Sequence, residues 1–212
     1  MINTEIQNVT RDFKHKNIEC DVIVVGAGIA GISAALTSAR QGNKTILVTD
    51  RPILGGSASS EIRIGPCGAA APPHNRFARE TGIIEEIFNH LRYMAQNAGK
   101  WRWFYFVQIY FDMVLRQKNL CLYLNTSIFE TTTDGSKIKA VRGIQLRTET
   151  IYDFSGKMFI DCTGDGTVGF LSGAHYRIGR EGKEEFDEVY SPESADKKTM
   201  GATLLFTSID AG

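Results

Sequence analysis

No stretch of this sequence holds the roughly 20 consecutive apolar residues that a helical membrane span needs. Nor is there a charge excess, since lysine plus arginine equal aspartate plus glutamate at 24 each. The first absence argues against a spanning helix. The second leaves no net field to gather nucleic acid or an anionic membrane, so neither is expected as a partner. Cysteine is scarce and scattered: Cys20, Cys67, Cys121 and Cys162 stand 47, 54 and 41 residues apart, with no C-x-x-C or zinc-knuckle spacing. The four histidines, His15, His74, His90 and His175, do not cluster, and no metal site is expected. Cys121 and Cys162 lie in apolar, strand-like segments and read as small core residues. Cys67, in GPCGAAAPP, is the cysteine expected near a site. The first twenty residues alternate charge and polarity without the apolar core of a signal peptide, so the expected location is the cytoplasm. What remains is 42% hydrophobic and 23% charged over 212 residues, an ordinary globular composition. That length suits one large domain, or one domain and part of another.

Residues 21–50, DVIVVGAGIAGISAALTSARQGNKTILVTD, read as strand, glycine turn, helix and strand. The apolar run 22–25 suits a strand buried on both faces of a parallel sheet. It leads into Gly26, Gly28 and Gly31 in G-x-G-x-x-G spacing. Gly26 allows the tight turn, Gly28 the approach of a pyrophosphate, and Gly31 close packing of helix on strand. Phosphates there meet unpaired N–H groups and the positive end of a helix dipole. The second strand, 45–49, ends at Asp50, 19 residues after Gly31, where a carboxylate can accept from ribose hydroxyls. A glycine-rich turn that binds nothing explains the glycines but not Asp50. The expectation is dinucleotide binding.

Residues 1–19 read as a polar lead-in. Residues 51–79, rich in Gly, Ser, Ala and Pro, have no clear periodicity, and their place after Asp50 favours a role along the cofactor. Helical spacing of Ile83, Ile84, Ile87, Phe88, Leu91 and Met94 predicts one helix, with Thr81 as N-cap and Gly99 past its end. A second is predicted over 105–117, with Phe106, Ile109, Tyr110, Met113 and Val114 on one side. Trp101 and Trp103 fall between them and read as packing under a loop rather than as a stacking surface. From Leu120 the period becomes two. Strands are predicted at 120–124, 127–131, 137–146, 150–154 and 157–161, with a turn at Asp134-Gly135. Antiparallel strands at this point depart from a plain NAD-binding Rossmann domain, which would continue to alternate strand and helix.

A second glycine turn follows the last of these strands. In CTGDGTVG, residues 162–169, the turn serves either to let Asp165 cap the next helix or to pass Thr163 and Gly164 beside a cofactor.

Together DVIVVGAGIAG, ILVTDRPILGGSASSEIRIGPCGA, NLCLYLNTSIFE and MFIDCTGDGTVGFLSGAHYRIGRE resemble the FAD-dependent oxidoreductases of the glutathione-reductase-like fold. More narrowly, they are similar to a bacterial branch with GG-x-x-SSE-x-R and TGDG segments. The likeness runs from about Asp21 onward. It implies an α/β fold: a Rossmann-like FAD-binding domain with a parallel sheet, an antiparallel β-meander insert and helices. By resemblance, Gly26, Ala27, Gly28, Ile29, Ala30 and Gly31 form the pyrophosphate turn, and Asp50 meets the adenosine ribose. Arg51, Gly55, Gly56 and Ser57 lie along the phosphates and ribityl chain, Ile128 meets the adenine, and Thr163, Gly164 and Asp165 form a flavin-contacting turn.

Members of that fold carry a further FAD segment near their C-terminus and a substrate domain inserted after roughly this point. Residues 1–20 are therefore expected to be an extension, 21–198 the first part of the FAD domain, and 199–212 the start of a truncated substrate domain. The activity implied is hydride or electron transfer between a small organic substrate and FAD. Ser59, Ser60, Glu61, Arg63 and Cys67 are the local candidates near the flavin. Glu61 and Arg63, alternating as on an extended segment, can equally pair with each other or with solvent. A thiol–disulfide reductase needs two neighbouring cysteines, and only Cys67 lies in this segment. The residues are also compatible with a non-catalytic nucleotide-binding module or an NAD-linked protein, NADP being disfavoured by the Asp50 charge. The catalytic residues and the oligomeric state are not assigned.

Overall fold

The computed structural model describes residues 12–66, 78–94 and 102–201. β1, Lys14–Val25, ends in the apolar run DVIVV. Helix α1, Ile29–Arg40, returns the chain to β2, Thr45–Val48, which pairs with β1 in parallel from Val22↔Thr45 to Val25↔Val48. The only way back to a parallel neighbour is a crossover, and α1 supplies it. Helices α2, Gly82–Met94, and α3, Arg102–Arg116, then lead to β3, Leu120–Tyr123, parallel to β2. The strands β4 (Thr126–Asp134), β5 (Lys137–Gln145) and β6 (Thr150–Asp161) form an antiparallel meander, with the β4–β5 turn after Asp134. β6 lies parallel to β1, completing a six-stranded sheet in the order β3-β2-β1-β6-β5-β4. This is the expected mixed α/β architecture with a parallel centre and an antiparallel insert.

That order puts β3 and β4 on opposite edges, yet only Leu124 and Asn125 join them. Two residues cannot cross a six-stranded sheet whose strands lie roughly 4.8 Å apart, so the antiparallel wing curls back over one face. Tyr123 of β3 accordingly packs edge-on against Tyr152 and Phe154 of β6, at 5.1 and 4.9 Å between ring centres. The N–H of Thr126 also donates to the carbonyl of Thr49, just past β2, at 2.8 Å. The curl brings the start of β4 to the ends of the parallel strands.

Strand alternation splits the core in two. Val24 and Leu47 face the helices, where Leu36, Ile87, Phe106, Ile109 and Tyr110 are buried. Ile23, Val25, Ile46 and Val48 face the other way, toward Tyr152, Phe154, Val141, Ile128 and Val168. The short helix α4, Thr167–Leu171, closes this second layer.

Three local expectations are corrected. Lys14–Cys20 is strand, not lead-in, because Thr150–Gly156 of β6 provides a ladder for it that the sequence places over 130 residues away. The strands predicted at 150–154 and 157–161 are one continuous strand for the same reason. Cys121 is exposed rather than core, since β3 is an edge strand and alternation turns it away from Leu120 and Leu122, which pack on the helix layer. The helix predictions hold, with α3 starting earlier than expected. Trp103 therefore lies in its first turn, stacked on Phe106 at 5.7 Å, which is a packing role. Trp101, Gly99 and Cys67 lie outside the described residues.

The chain divides into two compact units, Met1–Ser172 and Gly173–Gly212. The second contains α5, Lys183–Phe186, and a two-way backbone pairing of Arg180 with Asp196, reinforced by their ion pair. None of the buried apolar residues comes from the described part of this unit.

Candidate functional site

A cleft of about 520 Å³ opens at the C-terminal ends of the parallel strands, where ligands bind in open α/β sheets. Its floor is the first glycine turn. Gly26 has φ +98°, and a Cβ there would lie 2.3 Å from the Cys162 carbonyl oxygen. At Gly31 a Cβ would lie 1.8 Å from the Gly26 carbonyl oxygen. Both glycines are demanded by the protein itself. Gly28 is different: φ is −68°, open to any residue, and no protein atom lies within 4 Å of where a Cβ would sit. The first turn of α1 has no side-chain cap and no acidic residue. Ile32 is the first residue whose N–H reaches a helical carbonyl, that of Gly28, at 2.9 Å. The donors before it, on Ile29, Ala30 and Gly31, have no protein acceptor among the described residues.

Asp50 stands exposed on the cleft wall, and its carboxylate has no hydrogen-bond partner among the described residues. Beside it run Arg51, Ile53, Gly56 and Ser57. Gly55 anchors this loop, its N–H donating to the Ala27 carbonyl at 2.8 Å. Its φ of +111° and the Tyr110 ring, 2.5 Å from a Cβ there, exclude a side chain. Residues 56–58 form a 3-10 turn, 59 a bend and 60–62 a further turn, so the segment is not extended. Glu61 and Arg63 therefore do not pair. Glu61 meets Arg51 at 3.7 Å, and the Nε of Arg63 donates to the Ser60 carbonyl at 3.1 Å.

The far wall carries Thr126, Ser127 and Ile128 from the curled β4. Gly143 on β5 makes room for Ile128, whose Cδ1 would lie 2.8 Å from a Cβ at that position. The last wall is the second glycine turn, with Cys162, Thr163, Gly164, Asp165 and Thr167. Asp161, a residue the sequence pattern did not single out, organises it. One carboxylate oxygen accepts from the Thr163 N–H (3.0 Å) and hydroxyl (2.7 Å), the other from the Gly169 N–H (2.9 Å). Burial acts to raise the Asp161 carboxyl, but the donors from Thr163, Gly169 and Val168 outweigh it and hold it below the usual carboxylate range. The Thr163 hydroxyl in turn accepts from the Thr167 N–H at 2.7 Å. Asp165 does not cap α4: the cap position is Gly166, at φ +65°, and no side chain caps from there. The signal for Asp161 was present in the sequence as an acid at a strand end before T-G-D-G.

Of the residues expected to meet the cofactor, Gly26, Ala27, Gly28, Asp50, Arg51, Gly56, Ser57, Ile128, Thr163, Gly164 and Asp165 line this one cleft. Ile29, Ala30, Gly31 and Gly55 are not among its lining residues: the first three form the start of α1 directly after Gly28, and Gly55 is buried beside Ala27.

The profile of the FAD dependent oxidoreductase family matches residues 21–207. The chain belongs to that family. The cofactor that goes with this family is FAD. Similar proteins include the tRNA uridine 5-carboxymethylaminomethyl modification enzyme MnmG 1 of Fusobacterium nucleatum, 27% identical, covering 89% of this chain and 35% of that protein. MnmG of Treponema denticola is 30% identical over 74% of this chain and 26% of its own length. The 3-oxosteroid 1-dehydrogenase of Mycolicibacterium smegmatis is 43% identical over 38% of this chain and 13% of its own length. The chain spans about a quarter to a third of the length of the tRNA-modifying relatives it matches. Among the described residues no helix is long and apolar enough to cross a membrane.

Proposed function

We propose that this cleft holds FAD, with the diphosphate over Gly28 and the first turn of α1, and the adenosine ribose at Asp50. Arg51, Gly56 and Ser57, steadied by Gly55, run beside the phosphates and ribityl chain. Ile128 meets the adenine, and Thr163, Gly164 and Asp165 meet the flavin end. The observation that carries this reading is Gly28. Nothing in the protein requires glycine there, and a Cβ would occupy open space at the uncapped start of α1. Gly164 repeats the pattern, with no protein atom within 4 Å of a Cβ and an unremarkable φ. Both positions suit a ligand that approaches backbone closely.

When bound, FAD supplies the redox chemistry; the chain binds and orients it. The reading extends to an oxidoreductase that passes hydride or electrons between flavin and a small organic substrate. One feature favours a small substrate over a nucleic acid: equal numbers of acidic and basic residues give little purchase on a phosphate backbone. The two tRNA-modifying relatives make tRNA the second reading.

The test is to load the 212-residue chain with FAD, remove free cofactor and record the absorption spectrum. A flavin spectrum in stoichiometric amount is expected. A colourless protein that also stays colourless in excess FAD overturns the proposal. Titration with bulk tRNA at physiological salt decides the substrate class: no binding supports the small molecule, and specific micromolar binding favours tRNA.

A further inference from the structure

Arg51 is the one cationic side chain lining the cleft among the described residues. It is already engaged, with Nη1 3.7 Å from Oε2 of Glu61. The backbone on both sides of this pair is fixed. The Arg51 carbonyl accepts from the Asn125 N–H at 3.2 Å, and the Glu61 N–H donates to the hydroxyl of the fully buried Ser59 at 3.1 Å. Between them Gly55 is tied to the floor of the cleft. What can move is the side chain of Arg51, which is 60% exposed against 33% for Glu61. Their contact is single and long. A diphosphate offers a guanidinium two charges and several oxygens at bidentate spacing, a stronger partner than one carboxylate oxygen.

We propose that Glu61 is a positioning residue: it parks Arg51 at the cleft wall and yields it to the diphosphate when the dinucleotide binds. This rests on the FAD reading above. Binding then includes the rupture of one exposed ion pair, so Glu61 weakens the affinity for any diphosphate-bearing ligand while keeping Arg51 beside its path of entry. A carboxylate that merely repels an incoming anion would do so with or without Arg51. The exchange requires both residues.

The distinguishing experiment is a double-mutant cycle. Dissociation constants for FAD and for ADP are measured by calorimetry on the 212-residue chain, Glu61→Gln, Arg51→Gln and the double variant, with circular dichroism confirming an unchanged fold. Glu61→Gln is expected to tighten both ligands about two- to fivefold, the worth of an exposed ion pair. Arg51→Gln is expected to weaken them, and Glu61→Gln to have no effect once Arg51 is gone. A gain from Glu61→Gln that persists without Arg51, or any loss caused by Glu61→Gln, overturns the exchange while leaving the FAD reading intact. If the folded wild-type chain binds neither FAD nor ADP, the FAD reading fails and the exchange with it.

Discussion

The molecule contains two strand–glycine–helix turns that look alike in sequence and abut in space, with the Cys162 carbonyl of one pressed against Gly26 of the other. They differ in how the helix start is satisfied. In the first, α1 begins without a side-chain cap and without an acid. In the second, Thr163 takes the Thr167 N–H and Asp161 takes that of Gly169, so α4 is already neutralised by the protein's own carboxylate. One helix start is left open to an external anion. The other is locked internally, which holds Thr163 to Asp165 in shape as a wall of the cleft. Glycines, too, divide by what requires them: Gly26 and Gly31 serve the fold, Gly28 and Gly164 the space beside it.

The comparison breaks first at the structural glycines. Gly26→Ala places a Cβ 2.3 Å from a backbone oxygen at φ +98°, and strain plus overpacking are expected to cost upward of about 3 kcal/mol in a urea melt. Gly28→Ala should leave that melt unchanged or raise stability by about 0.5 kcal/mol, because its φ suits alanine. FAD affinity should nevertheless fall at least about tenfold, or about 1.4 kcal/mol. Equal damage to fold and binding at both glycines would erase the distinction.

Asp161→Asn tests the internal lock, with an expected loss of about 1 kcal/mol, modest because the carboxylate is partly solvated. Its pH signature has a definite sign. The folded-state value lies below the usual one, so the stabilisation is present above the unfolded carboxyl's pH of about 4 and is lost as pH falls through the lower folded value. Acid melts of Asp161→Asn should lack that component below about pH 4; an unchanged acid limb would remove Asp161 from its organising role. The smallest effect is expected at Gly164→Ala, with FAD binding weakened by about 1 kcal/mol or less and the melt within about 0.5 kcal/mol of wild type.

Local pattern carried the strand–turn–helix–strand unit of residues 21–50, α2 and the turn after Asp134, since each depends on neighbouring residues. The polar half of β1 was not legible, because residues 14–20 become strand only beside Thr150–Gly156. The curl that delivers Ile128 to the cleft was not derivable from periodicity; family resemblance, not alternation, pointed to that residue. Spacing alone allows Asp165 as a helix cap, whereas the stabilising donors and acceptors come from Asp161 and Thr163 on the other side of the turn. Alternation puts Glu61 and Arg63 on an extended chain, which a turn over residues 60–62 and a positive φ at Arg63 replace.

Hydrogen exchange at the two helix starts, followed by NMR with and without FAD, tests the contrast most directly. The account predicts that FAD slows exchange of the Ile29, Ala30 and Gly31 amides while those of Thr167 and Gly169, already bonded within the protein, do not change. Protection appearing at Thr167 and Gly169 with none at Ile29 to Gly31 would contradict it.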